Sequence, residues 1–353
     1  MRSVLLVLVV AGTIASPLAA TTQSSAPTAS VGQLIGQRLV VALRGPVPSA
    51  QLLARVRGGE VGGVILFGRN VRDRFQVRQL TAVLQGAARV GGQPALLIAV
   101  DQEGGATRRF AWAAPLLSAA KLGRLSPAAV QAQGKATADA LRAAGVNVDL
   151  APVADVPSVA DAFIAAQHRA FSKNPARVGL LATAFATGLR RGGVAATAKH
   201  FPGLGRARVS TDVAAVALPA SRSALTRDLM PYNSLIAAGV PLVMLSNATY
   251  PALDGKPAAW SPAVQTLLRH SLGFAGVTIT DALDAAGPTH GRSVASAAVL
   301  SAQAGTDLLL VTGSESESHA VYDRLVDAAE HGRLSRQNLE RSYARILALK
   351  RTL

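Results

Sequence analysis

Apolar runs of strand length recur along the chain at 39–43, 63–67, 95–100, 146–152, 194–198, 240–246, 277–280 and 307–311. Most are continuous rather than alternating, the pattern of strands covered on both faces. Between most of them lie Ala-, Leu- and Arg-rich stretches with helical spacing. In 126–144, Ser126 suits an N-cap, Pro127 the first turn and Gly145 the exit. The stretch 177–189 reads as another helix, and 335–349 puts Leu339, Tyr343, Ile346 and Leu347 on one face. Eight strands alternating with helices predict a single (β/α)8 TIM barrel of the α/β class over 31–353. A doubly wound open sheet is the competitor. Polar residues decide between them: Asp101, Asp155, Lys199 with His200, Ser246 with Asn247, and Asp281 follow the carboxyl ends of successive runs. A barrel gathers its site from many strand ends, whereas an open sheet concentrates it at one switch point.

Composition narrows the picture. Half the residues are hydrophobic and only 4% aromatic, so the core is built from Ala, Val and Leu. The net charge is +16 and is carried mostly by arginine. The basic residues are scattered and lack interleaved aromatics, so nucleic acid is not an expected partner. Attraction to an anionic cell-envelope surface is one reading of the charge; solvated arginine-rich helix faces are the other. The absence of cysteine excludes disulfides, thiolate zinc sites and cysteine nucleophiles. Arg2, the apolar stretch 4–11 and the small residues of 16–20 predict a signal peptide over 1–20, followed by a flexible Ser/Thr/Ala-rich leader over 21–30. An uncleaved anchor is the alternative, though the apolar part is short for a membrane span. Either way the folded part is expected outside the cytoplasmic membrane, secreted or associated with the envelope.

Three segments carry candidate chemistry. Asp101-Gln102-Glu103-Gly104-Gly105 follows the third strand, with Arg109 eight residues after Asp101. Lys199-His200-Phe201-Pro202-Gly203 reads as a strand end opening into a loop, and Lys with His there is costly in a core but useful in a polar pocket. Thr280-Asp281 ends the seventh strand. Taken singly, the first is equally a capped glycine turn and the last a helix N-cap. Taken together, in this order, they resemble glycoside hydrolase family 3, and within it the single-barrel bacterial exo-β-N-acetylglucosaminidases that trim cell-wall sugars. The resemblance extends to 62–67 with Arg69 and Asn70, to 145–155, and to 304–307, nearly the whole chain after the leader.

The resemblance implies a retaining β-glycosidase with Asp281 as nucleophile. It implies that Asp101, Arg109, Arg169, Lys199 and His200 bind the sugar in the −1 subsite, and that terminal N-acetylglucosamine of peptidoglycan fragments is the ligand. No metal or organic cofactor is implied, and a monomer is expected.

The loop after the Lys-His segment departs from the family. Relatives carry an Asp-Ser-His run whose His, paired with that Asp, is the acid/base. Here Ser210 stands for the Asp, Asp212 for the His, and Leu204 for another His. Asp212 is therefore the candidate acid/base, a carboxyl being able to do this work. His290, beyond the seventh strand, is a further candidate. A non-catalytic or weakly active carbohydrate-binding relative is the alternative. Arg206 and Arg208 make the loop cationic; the expected reading is that they are solvated, and the alternative is attraction of an anionic acceptor in place of water.

Overall fold

The computed structural model of the protein describes residues 29–353; the segments expected as signal peptide, 1–20, and as leader, up to residue 28, lie outside the described residues. Ser30, at the end of the leader, caps the first helix, Val31–Gly36, in a capping box with Gln33.

Eight parallel strands form the sheet: β1 Leu39–Ala42, β2 Gly63–Leu66, β3 Leu97–Val100, β4 Val148–Asp149, β5 Ala195–Phe201, β6 Leu242–Leu245, β7 Val277–Thr280 and β8 Leu309–Val311. They pair in sequence order, and β8 returns to β1 with Leu39 opposite Leu309. A parallel bridge between Ile279 and Leu308 joins β7 to β8 and completes the ring. The sheet is thus a (β/α)8 barrel and not an open doubly wound sheet. Each predicted run coincides with one of its strands, and all but β5 lie wholly within their runs.

Strand alternation divides the core in two. Val40, Ile65, Leu97, Ala99, Val148, Leu150, Ala195, Met244, Ile279 and Leu310 form an inner cluster that draws on every strand, which only the barrel interior allows. Their neighbours Val41, Val64, Ile98, Ala196, Val243 and Leu309 pack outward under the helices. The runs look continuous because both parities are buried. The predicted helices form as Pro127–Ala143, Pro175–Arg191 and Arg336–Lys350. Ser126 caps the first of these, accepting from Ala129 N at 3.2 Å.

Three expectations are corrected in detail. β4 is short because side-chain bonds replace ladder bonds: Ile98 N donates to Asn147 Oδ1 at 2.7 Å, and Pro152 has no N–H. β5 runs through Phe201, so Lys199 and His200 lie in the strand and not in a loop after it. The last helix buries Leu339, Ser342, Ile346 and Leu349. Tyr343 is half-buried against the core as expected, and Ser342 joins that face because its hydroxyl donates to the buried Asp307 Oδ1 at 2.8 Å.

Candidate active site at the carboxyl ends of the strands

Inward parity carries past the hydrophobic layers. After Leu97 and Ala99 the next inward position is Asp101; after Ala195 and Thr197 it is Lys199; after Val277 and Ile279 it is Asp281; after Ile65 it is Phe67; after Leu310 it is Thr312. All five line one pocket of about 470 Å³ at the carboxyl ends of the strands. Its floor is the top of the barrel core: Ile65, Leu150, Met244 and Leu310. Arg109, Arg169, His200 and Asp212 also line it, so the structure brings together Asp281, Asp212 and the five sugar-binding candidates named from the sequence.

Each side chain reaches the pocket by a local device. Beyond Asp101 the chain makes a short antiparallel hairpin, Gln102–Gly104 with Thr107–Arg108, which carries Arg109 back over the rim. Gly104 has φ +100, and a Cβ there would sit 2.2 Å from Leu117 O, so this turn needs glycine. The Gln102 side chain braces the hairpin, accepting from Phe110 N at 3.0 Å and donating to the carbonyls of Phe110, Ala113 and Ala114. In β5 the pairing with β6 shifts register between Ala198 and Phe201. Such an irregularity breaks strict alternation, and Lys199 and His200 both face the pocket.

A buried charge cluster forms one wall of the pocket. Lys199 Nζ lies 2.7 Å from Asp101 Oδ1 and 2.7 Å from Glu103 Oε1. Arg169 grips Glu103 bidentately, Nε to Oε2 at 2.8 Å and Nη2 to Oε1 at 2.7 Å. Arg109 Nη2 stands 3.5 Å from Asp101 Oδ2 and its guanidinium lies over the Phe67 ring. Burial alone would raise the pKa of Glu103 and Asp101, but the neighbouring cations outweigh it: Lys199 and Arg169 hold Glu103 well below the usual carboxylate range, and Lys199 and Arg109 hold Asp101 down. Burial likewise opposes the charge on Lys199, and the two carboxylates overcome it and raise its pKa.

His200 is fixed from behind. Asp155, fully buried, accepts from His200 Nδ1 at 2.7 Å, from His200 N at 3.2 Å and from Leu204 N at 2.7 Å. With Nδ1–H committed to that carboxylate, Nε2 is the ring nitrogen left for the pocket. Asp281 Oδ1 accepts from Ala282 N at 2.8 Å. Burial pushes the Asp281 carboxyl above its usual range and the charge of Asp212 adds to this, against the opposing pull of His200 and Lys199. The two carboxylates therefore sense one another across the pocket.

The loop bearing Asp212 is pinned at its base and free at its tip. Ser158 N donates to Gly205 O at 3.1 Å and Phe163 N to Ala207 O at 2.9 Å. Tyr250 Oη donates to Gly203 O at 2.9 Å. Asp212 is exposed, and Ser210 Oγ donates to its Oδ2 at 2.9 Å. The alternative of an anionic acceptor finds no support in this loop: Arg206 turns back to Asp228 at 3.0 Å, Arg208 turns out to Asp161 at 2.9 Å, and neither lines the pocket. His290 is also placed elsewhere, edge-on to Trp260 with Nε2 3.2 Å from Asn247 O. Ser246 and Asn247 brace the backbone, through bonds to Ala248 N and Ala282 O.

Glu103, Asp155 and Asp284 carry the site without having been given a role from the sequence. Glu103 was recoverable, because it stands two residues from Asp101 and so shares its face. Asp155 and Asp284 act across long sequence separations; Asp284 accepts from Thr312 N at 2.6 Å and from Thr312 Oγ1 at 2.7 Å. Among the described residues no group of three or more His, Asp or Glu side chains converges as metal ligands do.

Asp149 lies behind the cluster on the outward parity of β4. Its Oδ1 accepts from Gln102 N at 3.0 Å, its Oδ2 is buried with no partner, and burial pushes its carboxyl up to about 8. A carboxyl whose folded pKa is raised contributes stability fully below its unfolded value, and that contribution is lost as pH rises through the folded value. Asp149→Asn, which imitates the protonated form, is expected to flatten the decline in thermal stability between pH 4 and about 8. A melting-temperature profile that runs parallel in the parent and the variant would contradict this.

A parallel barrel whose strand ends converge on a pocket of carboxylates and fixed cations defines a barrel enzyme with its site in the usual place. Residues 30–349 match the N-terminal domain of glycosyl hydrolase family 3. The chain is 37% identical to an uncharacterized secreted glycosyl hydrolase of Arthroderma benhamiae, over 90% of this chain and 92% of that one. It is 36% identical to a β-hexosaminidase of Methylococcus capsulatus, over 75% of this chain and 79% of that one. A glycoside hydrolase family 3 β-N-acetylglucosaminidase from a Paenibacillus species superposes with a TM-score of 0.85 at 33% identity, covering 92% of this chain, and the chain spans 62% of that protein's length. The chain belongs to glycoside hydrolase family 3.

Proposed function

We propose that the protein is a retaining β-glycosidase that removes terminal N-acetylglucosamine, with Asp281 as nucleophile and Asp212 as acid/base. One observation carries the reading: every residue assigned to the −1 subsite lines the same pocket as a buried carboxylate, Asp281, and an exposed one, Asp212. In the first step Asp281 attacks the anomeric carbon, the glycosidic C–O bond breaks, and the Asp212 carboxyl gives its proton to the leaving oxygen. In the second, Asp212 takes a proton from water, whose oxygen displaces Asp281. Asp101, Lys199, His200, Arg109 and Arg169 hold the sugar hydroxyls, and contacts that tighten as the ring flattens lower the barrier. The choice of N-acetylglucosamine rests on relatives named β-hexosaminidase and β-N-acetylglucosaminidase. Cell-wall fragments are the proposed source. Export by the N-terminal segment, from residues 1–20, is supported by its composition and by the relative named as secreted. A monomer of one barrel domain over 31–353 is the proposed form.

Asp212→Asn tests the acid/base. Loss of general acid/base assistance costs about 10²–10⁴-fold. Hydrolysis of a natural chitobiose-type substrate is expected to fall in that range, while formation of the glycosyl-enzyme from a dinitrophenyl glycoside, which needs little acid help, stays near the parent rate. Equal rates on the natural substrate would remove Asp212 from the mechanism. Sugar binding without turnover by the parent protein would instead identify a carbohydrate-binding relative.

A further inference from the structure

At the opposite, amino-terminal end of the barrel lies a second cavity of about 480 Å³, between the helices Pro262–Thr266, Val294–Ala304 and Arg336–Lys350. Arg269, His270, Arg341 and Arg345 line it together with Asn338 and Gln303, and no Asp or Glu is among its lining residues. Behind its wall sits one fully buried carboxylate, Asp307, whose capacity is already filled. Asp307 Oδ2 accepts from Arg269 Nη2 at 2.6 Å and from Thr278 N at 2.9 Å, while Oδ1 accepts from Arg345 Nη2 at 2.7 Å and Ser342 Oγ at 2.8 Å. Arg38, buried beside it, bonds only to the carbonyls of Thr306 and Asp307. The guanidinium groups of Arg38, Arg269 and Arg345 thus share a single carboxylate, and Arg341 adds a fourth positive charge to the same cavity.

The surplus is felt by the arginines themselves. Burial brings Arg38 down to about 10 and lowers Arg269, and in both the charge of Arg345 adds to the depression against the pull of Asp307. An unneutralised group of like charges in a concave, low-dielectric wall attracts a multiply charged counter-ion. Donors to receive it are in place. Arg345 spends Nε and Nη2 on Asp307, leaving Nη1 with no bond among the described residues, and Arg341 is exposed with Nη2 on Asn338 Oδ1.

We propose that this cavity is a binding site for a dianionic phosphate group, held by Arg341 and Arg345 at its mouth. Guanidinium groups pair with phosphate oxygens in a fork geometry, and a surplus of three positive charges suits a dianion better than a carboxylate. Orthophosphate and a phosphate monoester share this chemistry. The site lies on the far side of the barrel from the pocket of Asp281, so its occupancy does not compete with sugar.

The test is a calorimetric titration of the full chain with orthophosphate at constant ionic strength. Saturable binding is expected, weakened about tenfold by Arg341→Gln, the loss of one charge-assisted bond. Arg341 is outside the catalytic machinery, so glycosidase activity in that variant reports an intact fold. Because Arg109 and Arg169 also offer cations, Arg109→Gln serves as the second variant and is expected to bind orthophosphate as the parent does. Absence of saturation, indifference to Arg341→Gln, or loss of binding in Arg109→Gln would each overturn the proposal. Repeating the titration with glycerol phosphate distinguishes the source: tighter binding than orthophosphate assigns the site to a monoester, weaker binding to the free ion.

Discussion

Asp281→Gly is expected to lower turnover of an aryl N-acetyl-β-glucosaminide by on the order of 10⁴-fold or more, because the variant loses the atom that bonds the anomeric carbon. Two further readouts separate loss of a nucleophile from general damage. In the parent protein, a 2-fluoro glycosyl donor with a good leaving group should leave a covalent adduct on the peptide containing Asp281, detected by mass spectrometry. In the variant, azide should restore turnover and give the glycosyl azide of inverted configuration, since a small anion fits where the carboxylate was. The pH profile offers a third. Asp281 must be ionised to attack, and burial together with the Asp212 charge raises its pKa. The acid limb of kcat/KM is therefore expected above the ordinary aspartate value of 3.8. An unlabelled Asp281, with the adduct on another residue, would end the assignment.

Lys199→Met is expected to cost about 3–5 kcal/mol of folding stability, the range for removing one partner of a buried ion pair. The ammonium is nearly inaccessible and lies between two carboxylates, Asp101 and Glu103, each 2.7 Å away. Methionine fills the volume but leaves Asp101 with Arg109 at 3.5 Å and Glu103 with Arg169 alone. Urea denaturation should show a lower midpoint with an unchanged slope. The sign of the acid dependence follows from the same pairing. Asp101 and Glu103 have folded pKa values held below 3.8 and 4.5, so their stabilisation is present above those values and lost as pH falls through the folded ones. With Lys199 gone the depression shrinks, and the variant should lose less on acidification than the parent. Adding Asp101→Asn to Lys199→Met should recover part of the loss, as contacting partners are not additive. A midpoint unchanged by Lys199→Met would mean that the cluster contributes nothing to folding.

The barrel was legible because continuous apolar runs at near-regular spacing leave few alternatives, and seven of the eight strands fall inside their predicted runs, β5 alone running past its own. Strand lengths were less legible. β4 is cut short by the Asn147 side chain and Pro152, and β5 is extended by an irregular pairing with β6, neither of which is a matter of hydrophobicity. The pocket residues were legible where a polar side chain interrupts an apolar run at a strand end, as at Asp101, Lys199 and Asp281. What escaped was whatever acts over long separations. Asp155 orients His200 from 45 residues away, and Arg169 neutralises Glu103 from 66 residues away. The partners of the loop's arginines are not legible in the sequence, because Asp228 and Asp161, which draw them off, are near only in space.

Tethering of the Asp212 loop at its base has a consequence for how this protein can change. Residues 203–207 are tied to the barrel by Asp155, Ser158, Phe163, Tyr250 and Asp228, whereas Asp212 and Val213 stand in solvent. The charge cluster around Lys199 and the tip that bears Asp212 are thus held by separate sets of contacts. Exchange of residues at the tip leaves the charge cluster and the barrel core untouched, so such changes are nearly neutral for folding. Substitution at the tip therefore alters the pocket's rim while the barrel beneath it stays folded, a freedom that the buried residues of the cluster lack.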